Sequence, residues 1–432
     1  MRELSPFTHP FRGKISVPGS KSLTNRALLL AALAPGQTIL KEWLSSEDTE
    51  VMITALREFG VDIYFEGKER ELTIVGTSGK FQNKSDLEIF CANSGTSLRF
   101  LTAVSALRSG KTLLTGAPRM KKRPLRDLSD ALSQMGVLLN YPEKKGFPPI
   151  QILGNQVLQG GDIHISGKTS SQFLSALLHI APFAGNPVRI TLKNELVSEL
   201  YVRMTIGLLE KFGVHVRQNE RSTEFCIDPQ PLSSPGEVHI EGDATSATYP
   251  LGIALATQGS IIVQNICSNS LQGDAYFPEK VLKKMGAMVQ MSSDGIFLTA
   301  PQNLLPLDDI HLGEMPDAAM TAVVLSALAK GVSRISGLST LRDKECDRIS
   351  ALVSNLASMG ANVLSGKDFI EVHGDPLELH GAEIETFHDH RIAMCFSILG
   401  AVIPDVRILH PECVEKTYPT YWQEYEEWRG QF

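Results

Sequence analysis

The chain has 432 residues, 43% of them hydrophobic and 21% charged, with a formal net charge of -7. That length exceeds one ordinary core and calls for two domains, and the acidic balance argues against nucleic acid or an anionic membrane as general partners. With no run of 18 apolar residues, no secretory signal in M-R-E-L-S-P-F-T-H-P and six scattered cysteines without a C-x-x-C pair, the chain reads as a cytoplasmic protein free of disulfides and structural zinc.

In chain order, the first marked element is V-P-G-S-K-S-L-T-N-R-A-L-L-L-A-A-L, residues 17–33. It is a helix apolar on every face, which belongs inside a protein. Its mouth nevertheless carries Lys21, Ser22 and Arg26. Similar polar openings precede apolar helices at N-S-G-T-S-L-R (93–99), T-S-S-Q-F (169–173), D-A-T-S-A-T (243–248), P-D-A-A-M-T (316–321) and H-D-H-R-I-A-M (388–394).

A second signal recurs in phase. The segments ending at Gly60, Gly136, Gly213, Gly286 and Gly360 each read as an amphipathic helix, a glycine C-cap and a strand. Their spacing stays between 73 and 77 residues, the mark of repeated structural units. Short β-rich runs such as K-T-L-L-T, D-I-H-I-S, S-I-I-V-Q-N-I and V-S-R-I-S-G-L separate the helices. Six units result, each with one buried and one amphipathic helix, and the last ends in Y-P-T-Y-W-Q-E-Y-E-E-W. They divide as three and three, with 233–243 as the expected crossing. The chain before Gly19 has no helix of its own and is expected to pair with the second half.

The helix mouths suggest a function. Ser, Thr, Asn and Asp there serve equally well as caps for unpaired N–H groups. A cation added to an already positive helix end requires an anion. Arg26, Arg99 and Arg391 meet that description. The runs G-A-P-R-M-K-K-R-P, with Arg123, and L-R-D-K-E-C-D-R-I, with Lys344, Glu345 and Arg348, add cations. A helix opening in the latter run would put Lys344 and Arg348 on one face. Metal chemistry fits poorly: His388-x-His390 lacks further ligands, and H-E-x-x-H, the P-loop and G-x-G-x-x-G in a strand-helix setting are all absent.

The motifs P-G-S-K-S-x-x-N-R-A-L-L-L-A-A-L-A, N-S-G-T-S-L-R, G-x-P-R-M-K-x-R-P, S-S-Q-F-L-x-A-L-L, E-G-D-A-x-S-A, P-D-A-A-M-T, K-E-x-D-R and D-H-R-x-A-M-C-F run through nearly the whole chain in order. Together they closely resemble the EPSP synthase family, the enolpyruvyl transferases of shikimate 3-phosphate. The resemblance implies an α/β fold of two similar domains, each of three βαβαββ units around buried parallel helices, an inside-out α/β barrel. It places the domains at 20–240 and at 1–19 with 241–432, with crossings near 14–20 and 236–243 and closure over the substrates. It also implies transfer of the enolpyruvyl group of phosphoenolpyruvate to the 5-hydroxyl of shikimate 3-phosphate, on the pathway to chorismate, by a monomer that needs neither cofactor nor metal.

Carried over residue by residue, the resemblance makes Lys21, Asp317 and Glu345 catalytic. Shikimate 3-phosphate would meet Lys21, Ser22, Arg26, Ser170, Ser171, Gln172, Ser198, Tyr201, Asp317 and Lys344. Phosphoenolpyruvate would meet Lys21, Asn93, Gly95, Arg123, Gln172, Arg348, Arg391 and Lys416. Arg99, Asp389 and His390 would support them. Gly95 is the small residue that leaves room for glyphosate, so this inhibitor is expected to bind. Phe100, Thr340 and Ser94 depart from the family pattern of proline, asparagine and alanine. The sister transferase acting on UDP-N-acetylglucosamine is disfavoured because the loop 116–124 lacks its usual cysteine, and a non-catalytic anion binder because Asp317 and Glu345 are acidic.

Overall fold

The structure is a computed structural model that describes residues 1–65, 70–81, 85–155 and 158–430. The chain divides into two compact units: a first, Gly19–Ile240, and a second, Met1–Pro18 with Glu241–Phe432.

Three repeats build the first unit. Helix α1 (Lys21–Leu33) leads into strand Pro35–Lys41, and α2 (Glu47–Glu58) into the pair Asp62–Phe65 and Glu71–Thr77. The next repeat sets α3 (Gly95–Val104) between strands Leu87–Phe90 and Ser109–Thr115, then α4 (Arg126–Gln134) and strands Leu138–Asn140 and Ile150–Asn155. In the third, α5 (Ser171–Ile180) joins Gly161–Ile165 to Val188–Leu192, and α6 (Glu199–Lys211) precedes Arg217–Gln218 and Glu224–Ile227. Each repeat owns a four-stranded sheet with the same strand order. The strand entering the buried helix lies parallel to the strand leaving it, and the last two strands add antiparallel. The first repeat borrows its entering strand from the far end of the unit: Glu237–His239 pairs with Ile39–Lys41. This strand comes from the segment expected as the crossing.

The second unit repeats the scheme in two four-stranded sheets and ends in a three-stranded one. Helix α7 (Ala244–Ala256) is followed by strand Ser260–Val263, which runs parallel to Arg12–Ile15. The chain start thus supplies a strand to this sheet. Helix α8 (Pro316–Ser326) links Asp308–His311 to Gly331–Ser336, and α9 (Arg348–Ser358) precedes Asn362–Ser365 and Phe369–Gly374. Helix α10 (His390–Gly400) links Glu383–Ile384 to Val406–Ile408, and α11 (Tyr421–Gly430) closes the chain. Arg2–Leu4 completes that last sheet antiparallel to Val406–Ile408. The aromatic tail packs inward, with the Trp428 ring stacked 5.5 Å from Phe11 and the Tyr425 ring 5.4 Å from Phe7.

Helices α1, α3, α5, α7, α8 and α10 are buried on nearly all faces, as their uniform apolar composition requires. Within the second unit α7, α8 and α10 pack against one another. The five C-cap glycines take the left-handed conformation, with φ from 79° to 99°. Two expectations fail. Ahead of Gly286 there is no regular α-helix but a short turn, Gly273–Tyr276, and a wide-turn helix, Pro278–Leu282. Pro278 has no N–H to continue the turn it enters. Lys344 does not lie on the helix of Arg348, because Asp347 caps α9 and Lys344 is extended. Among the described residues no helix is long and apolar enough to cross a membrane.

Candidate active site

In the first unit, polar side chains gather at the mouths of α1, α3 and α5. Ser20 caps α1, accepting from Leu23 N at 3.4 Å. Lys21, next in sequence, places Nζ 3.2 Å from Asp48 Oδ2 in a nearly buried pair. Asp48 sits in the first turn of α2. Its backbone oxygen accepts from Ser97 Oγ at 3.1 Å, and Ser97 Oγ accepts from Ser94 Oγ at 2.8 Å. The α1 and α3 mouths are thereby joined.

Gln172 joins α5 to α3. Its Nε2 donates to Thr96 Oγ1 at 3.1 Å, and Arg99 donates to its Oε1. Ser170 caps α5, accepting from Gln172 N at 3.3 Å, with Ser171 buried beside it. Arg123 is buried against Gly95: a Cβ there would lie 2.6–2.7 Å from the Arg123 guanidinium. Asn93 precedes this mouth, two residues before Gly95.

Arg26 reaches inward. Its Nε donates to Thr205 Oγ1 at 2.8 Å, Nη1 to Ser22 O at 2.9 Å and Nη2 to Tyr201 O at 3.3 Å, and its guanidinium stands 5.2 Å over the Phe100 ring. Burial lowers its pKa to about 10, so it stays cationic at neutral pH. The aromatic Phe100, where the family pattern has proline, thus packs on this arginine. Ser198 begins α6 with φ 52°, one turn from Tyr201.

The second unit holds a compact ion cluster at the mouths of α8, α9 and α10. Asp317, in the first turn of α8, is approached by Arg348 Nη1 at 2.8 Å, Arg391 Nη2 at 3.1 Å and Lys344 Nζ at 3.3 Å. Burial pushes its carboxyl up, but Arg391, Lys344 and Arg348 outweigh that and hold it well below the usual range. Glu345 accepts from Arg348 Nη2 at 2.9 Å. Asp389 accepts from Arg348 Nε at 2.7 Å and caps α10 by accepting from Arg391 N at 3.0 Å. Arg391 Nη1 donates to Tyr249 Oη at 3.1 Å. His390 is fully buried, its Nδ1 3.5 Å from Asp389. Lys416, buried, ends the turn Pro411–Lys416. The cluster matches three cations, Lys344, Arg348 and Arg391, with three carboxylates, Asp317, Glu345 and Asp389.

Three residues escaped the sequence reading. Asp48 resembled the ordinary acidic first turn of a surface helix. Tyr249 looked like one more core residue of α7. Asp274, on the turn Gly273–Tyr276, accepts from Thr245 at the α7 mouth and is nearly fully buried. Burial, with Asp317 nearby, pushes its carboxyl up to about 7. No local sequence pattern marks it.

Repeated α/β units around buried helices, with cation-rich mouths, are the architecture expected of the enolpyruvyl transferases and suit anionic ligands. The profile of EPSP synthase (3-phosphoshikimate 1-carboxyvinyltransferase) matches residues 7–425, and the chain belongs to that family. Among its relatives, the 3-phosphoshikimate 1-carboxyvinyltransferase of Haemophilus ducreyi is 42% identical, covering 99% of this chain and 98% of the relative. That of Enterobacter sp. (strain 638) is 41% identical over 95% of each. The structure of EPSP synthase from Acinetobacter baumannii superposes with a TM-score of 0.80 at 26% identity, covering 98% of this chain and 97% of the other.

Proposed function

We propose that this chain transfers the enolpyruvyl group of phosphoenolpyruvate to the 5-hydroxyl of shikimate 3-phosphate, with the two ion clusters dividing the work. The observation that carries the division is Asp317, a carboxylate at a helix mouth held by three cations.

Asp317 takes the proton of the 5-hydroxyl as its oxygen attacks C2 of phosphoenolpyruvate. Glu345 and Lys21 serve the methylene carbon, which gains a proton in the addition step and loses one in the elimination. The tetrahedral intermediate then expels phosphate by breaking its C–O bond, so fixed cations do the electrostatic work. Both substrates carry a phosphate and a carboxylate. Lys21, Ser22, Arg26, Ser170, Ser171, Gln172, Ser198, Tyr201 and Lys344 take shikimate 3-phosphate. Asn93, Gly95, Arg123, Gln172, Arg348, Arg391 and Lys416 take phosphoenolpyruvate, each arginine offering a bidentate fork that lysine cannot copy.

The cation triad around Asp317 bears on timing. While Arg348, Arg391 and Lys344 all face Asp317, its carboxylate is a poor base. A substrate anion that engages these cations weakens their hold and raises the proton affinity of Asp317. The base is thus armed by the substrate it serves.

Mixing shikimate 3-phosphate, phosphoenolpyruvate and the protein should release phosphate without added metal. Release only with UDP-N-acetylglucosamine as acceptor would assign the chain to the sister reaction instead. A monomer in the cytoplasm, inhibited by glyphosate, completes the reading; light scattering and a glyphosate titration of the same assay test these points.

A further inference from the structure

Outside the clusters above, the second unit brings together His388, His410 and Glu412, all exposed. We infer that they form a binding site for a divalent transition-metal ion of the zinc class. The three donor atoms lie within 4.8 Å of one another. The two imidazole rings stand 4.2 Å apart, and His410 Nδ1 is 3.5 Å from Glu412 Oε1.

The backbone holds the donors in place. His388 ends the turn after Glu383–Ile384, and His410 follows Val406–Ile408; these two strands pair in parallel. Leu409 N donates to Ile384 O at 3.0 Å, Asp389 N to Thr386 O at 2.9 Å and Cys413 N to His410 O at 3.2 Å. Trp422 Nε1 donates to Pro411 O at 2.7 Å between the other two donors. Both turns are therefore braced at their bases, and only exposed side-chain torsions need change. Zinc bonds of about 2.0–2.1 Å in a tetrahedron require donors about 3.3 Å apart. Donors found within 4.8 Å of one another would close to that spacing by side-chain rotation.

The donor set selects the ion. Imidazole nitrogen suits zinc, nickel and copper, whereas magnesium and calcium want oxygen ligands throughout. Three protein donors leave one position for water or another ligand. His390, the residue that sequence spacing paired with His388, is buried against Asp389 and is not in the set. The expectation against metal chemistry rested on that pair, on the absent H-E-x-x-H motif and on the scattered cysteines.

The position gives the ion a consequence. His388 immediately precedes Asp389, and His410 opens the turn that ends at Lys416. A bound ion would clip the loop feeding Asp389 and Arg391 to the turn feeding Lys416.

The test is calorimetric titration of the full, untagged chain with ZnCl2 and, separately, MgCl2, without substrates, so its outcome is independent of the transferase reading. One equivalent of zinc should bind, and magnesium should not. Loss of an outer-sphere partner of a metal ligand already costs about 10–100-fold in affinity, so His388→Asn and His410→Asn should each cost at least that. Zinc should raise the melting temperature of the parent chain and not that of the double variant. Because the side chains are exposed, the metal-free melting temperature of the variants should match the parent's. Zinc that fails to bind, binds the double variant as tightly, or is matched by magnesium would overturn the site.

Discussion

Arg348 holds Asp389 with two nitrogens, Nε 2.7 Å from Oδ2 and Nη2 3.2 Å from Oδ1. The same guanidinium reaches Asp317 with Nη1 and Glu345 with Nη2. One fully buried side chain thus orients the proposed base, the proposed proton carrier and the cap of α10. Burial alone would lower its pKa, but Asp389, Glu345 and Asp317 outweigh that and raise it. Its charge is therefore permanent, and its geometry is fixed from three sides.

Arg348→Lys keeps the charge and loses the fork. Lysine cannot hold Asp389 through two nitrogens, and a lost hydrogen bond to a charged group costs about 1.5–3 kcal/mol. The variant should melt several degrees lower and turn over at least about 10²-fold slower, since a misplaced catalytic group alone can cost that much. Thermal melts and phosphate release measure both. Parental turnover would remove Arg348 from its orienting role.

Asp317→Asn should lower turnover by about 10²–10⁴-fold, the range for losing a general acid–base group. The pH dependence of stability offers a second reading. The Asp317 carboxyl is depressed in the folded state, so its stabilisation is complete above the ordinary carboxylate range and is lost as pH falls through the folded value. The variant's acid unfolding limb should be shallower than the parent's in urea melts below pH about 4.

Glu345→Gln retains an acceptor for Arg348 and removes the titrating group. Melting should change little while turnover falls about 10²–10⁴-fold. The same loss of turnover accompanied by a large fall in melting temperature would make Glu345 a structural partner of Arg348 only.

Gly95→Ala places a methyl group against the Arg123 guanidinium. The arginine end can swing aside, so the fold survives, but its aim changes. The KM for phosphoenolpyruvate should rise, kcat/KM should fall by up to about 10²-fold, and the KM for shikimate 3-phosphate should hold. Equal rises in both KM values would contradict the assignment of this mouth to phosphoenolpyruvate.

Asp274→Asn tests a carboxyl raised to about 7 by burial and by Asp317, with Arg391 and Asp243 also close. The folded state keeps a proton here that the unfolded chain releases above pH about 4. Parental stability therefore declines as pH rises from about 4 to about 7 on account of this group, by an amount on the order of a few kcal/mol. Asn keeps an acceptor for Thr245 and removes that decline. Relative to the parent, the variant should be more stable at pH 8 than at pH 5, as denaturant melts at the two values will show.

Helix mouths and glycine caps were legible because a cap lies within a few residues of what it caps. Lys21, Gly95, Ser170, Asp317 and Asp389 could all be located that way. The pairs that organise the site were not legible, because each joins residues far apart in sequence: Lys21 with Asp48, Asp317 with Arg391, Thr245 with Asp274. In sequence Asp48 is one acid among E-D-T-E, and nothing local separates it from a solvated face. Local rules also misplaced Lys344, whose i,i+4 spacing to Arg348 implied a shared helix face. The two meet at Asp317 all the same, across the capping turn of Asp347. His388 lies on one turn and His410 with Glu412 on another, and only strand pairing brings the two turns together.

The pairing of Arg12–Ile15 with Ser260–Val263 sets an order of events at the ribosome. The first of these strands emerges about 250 residues before its neighbour, a wait of roughly 12–50 s at 5–20 residues per second. The first unit is complete sooner, because its last strand, Glu237–His239, precedes that neighbour. A nascent chain can therefore finish the first unit while the N-terminal segment of the second is still unpaired. The sequence Arg12-Gly13-Lys14-Ile15, with two cations and a glycine in four residues, suits such a strand: charge discourages a bare edge from pairing with a stranger during the delay.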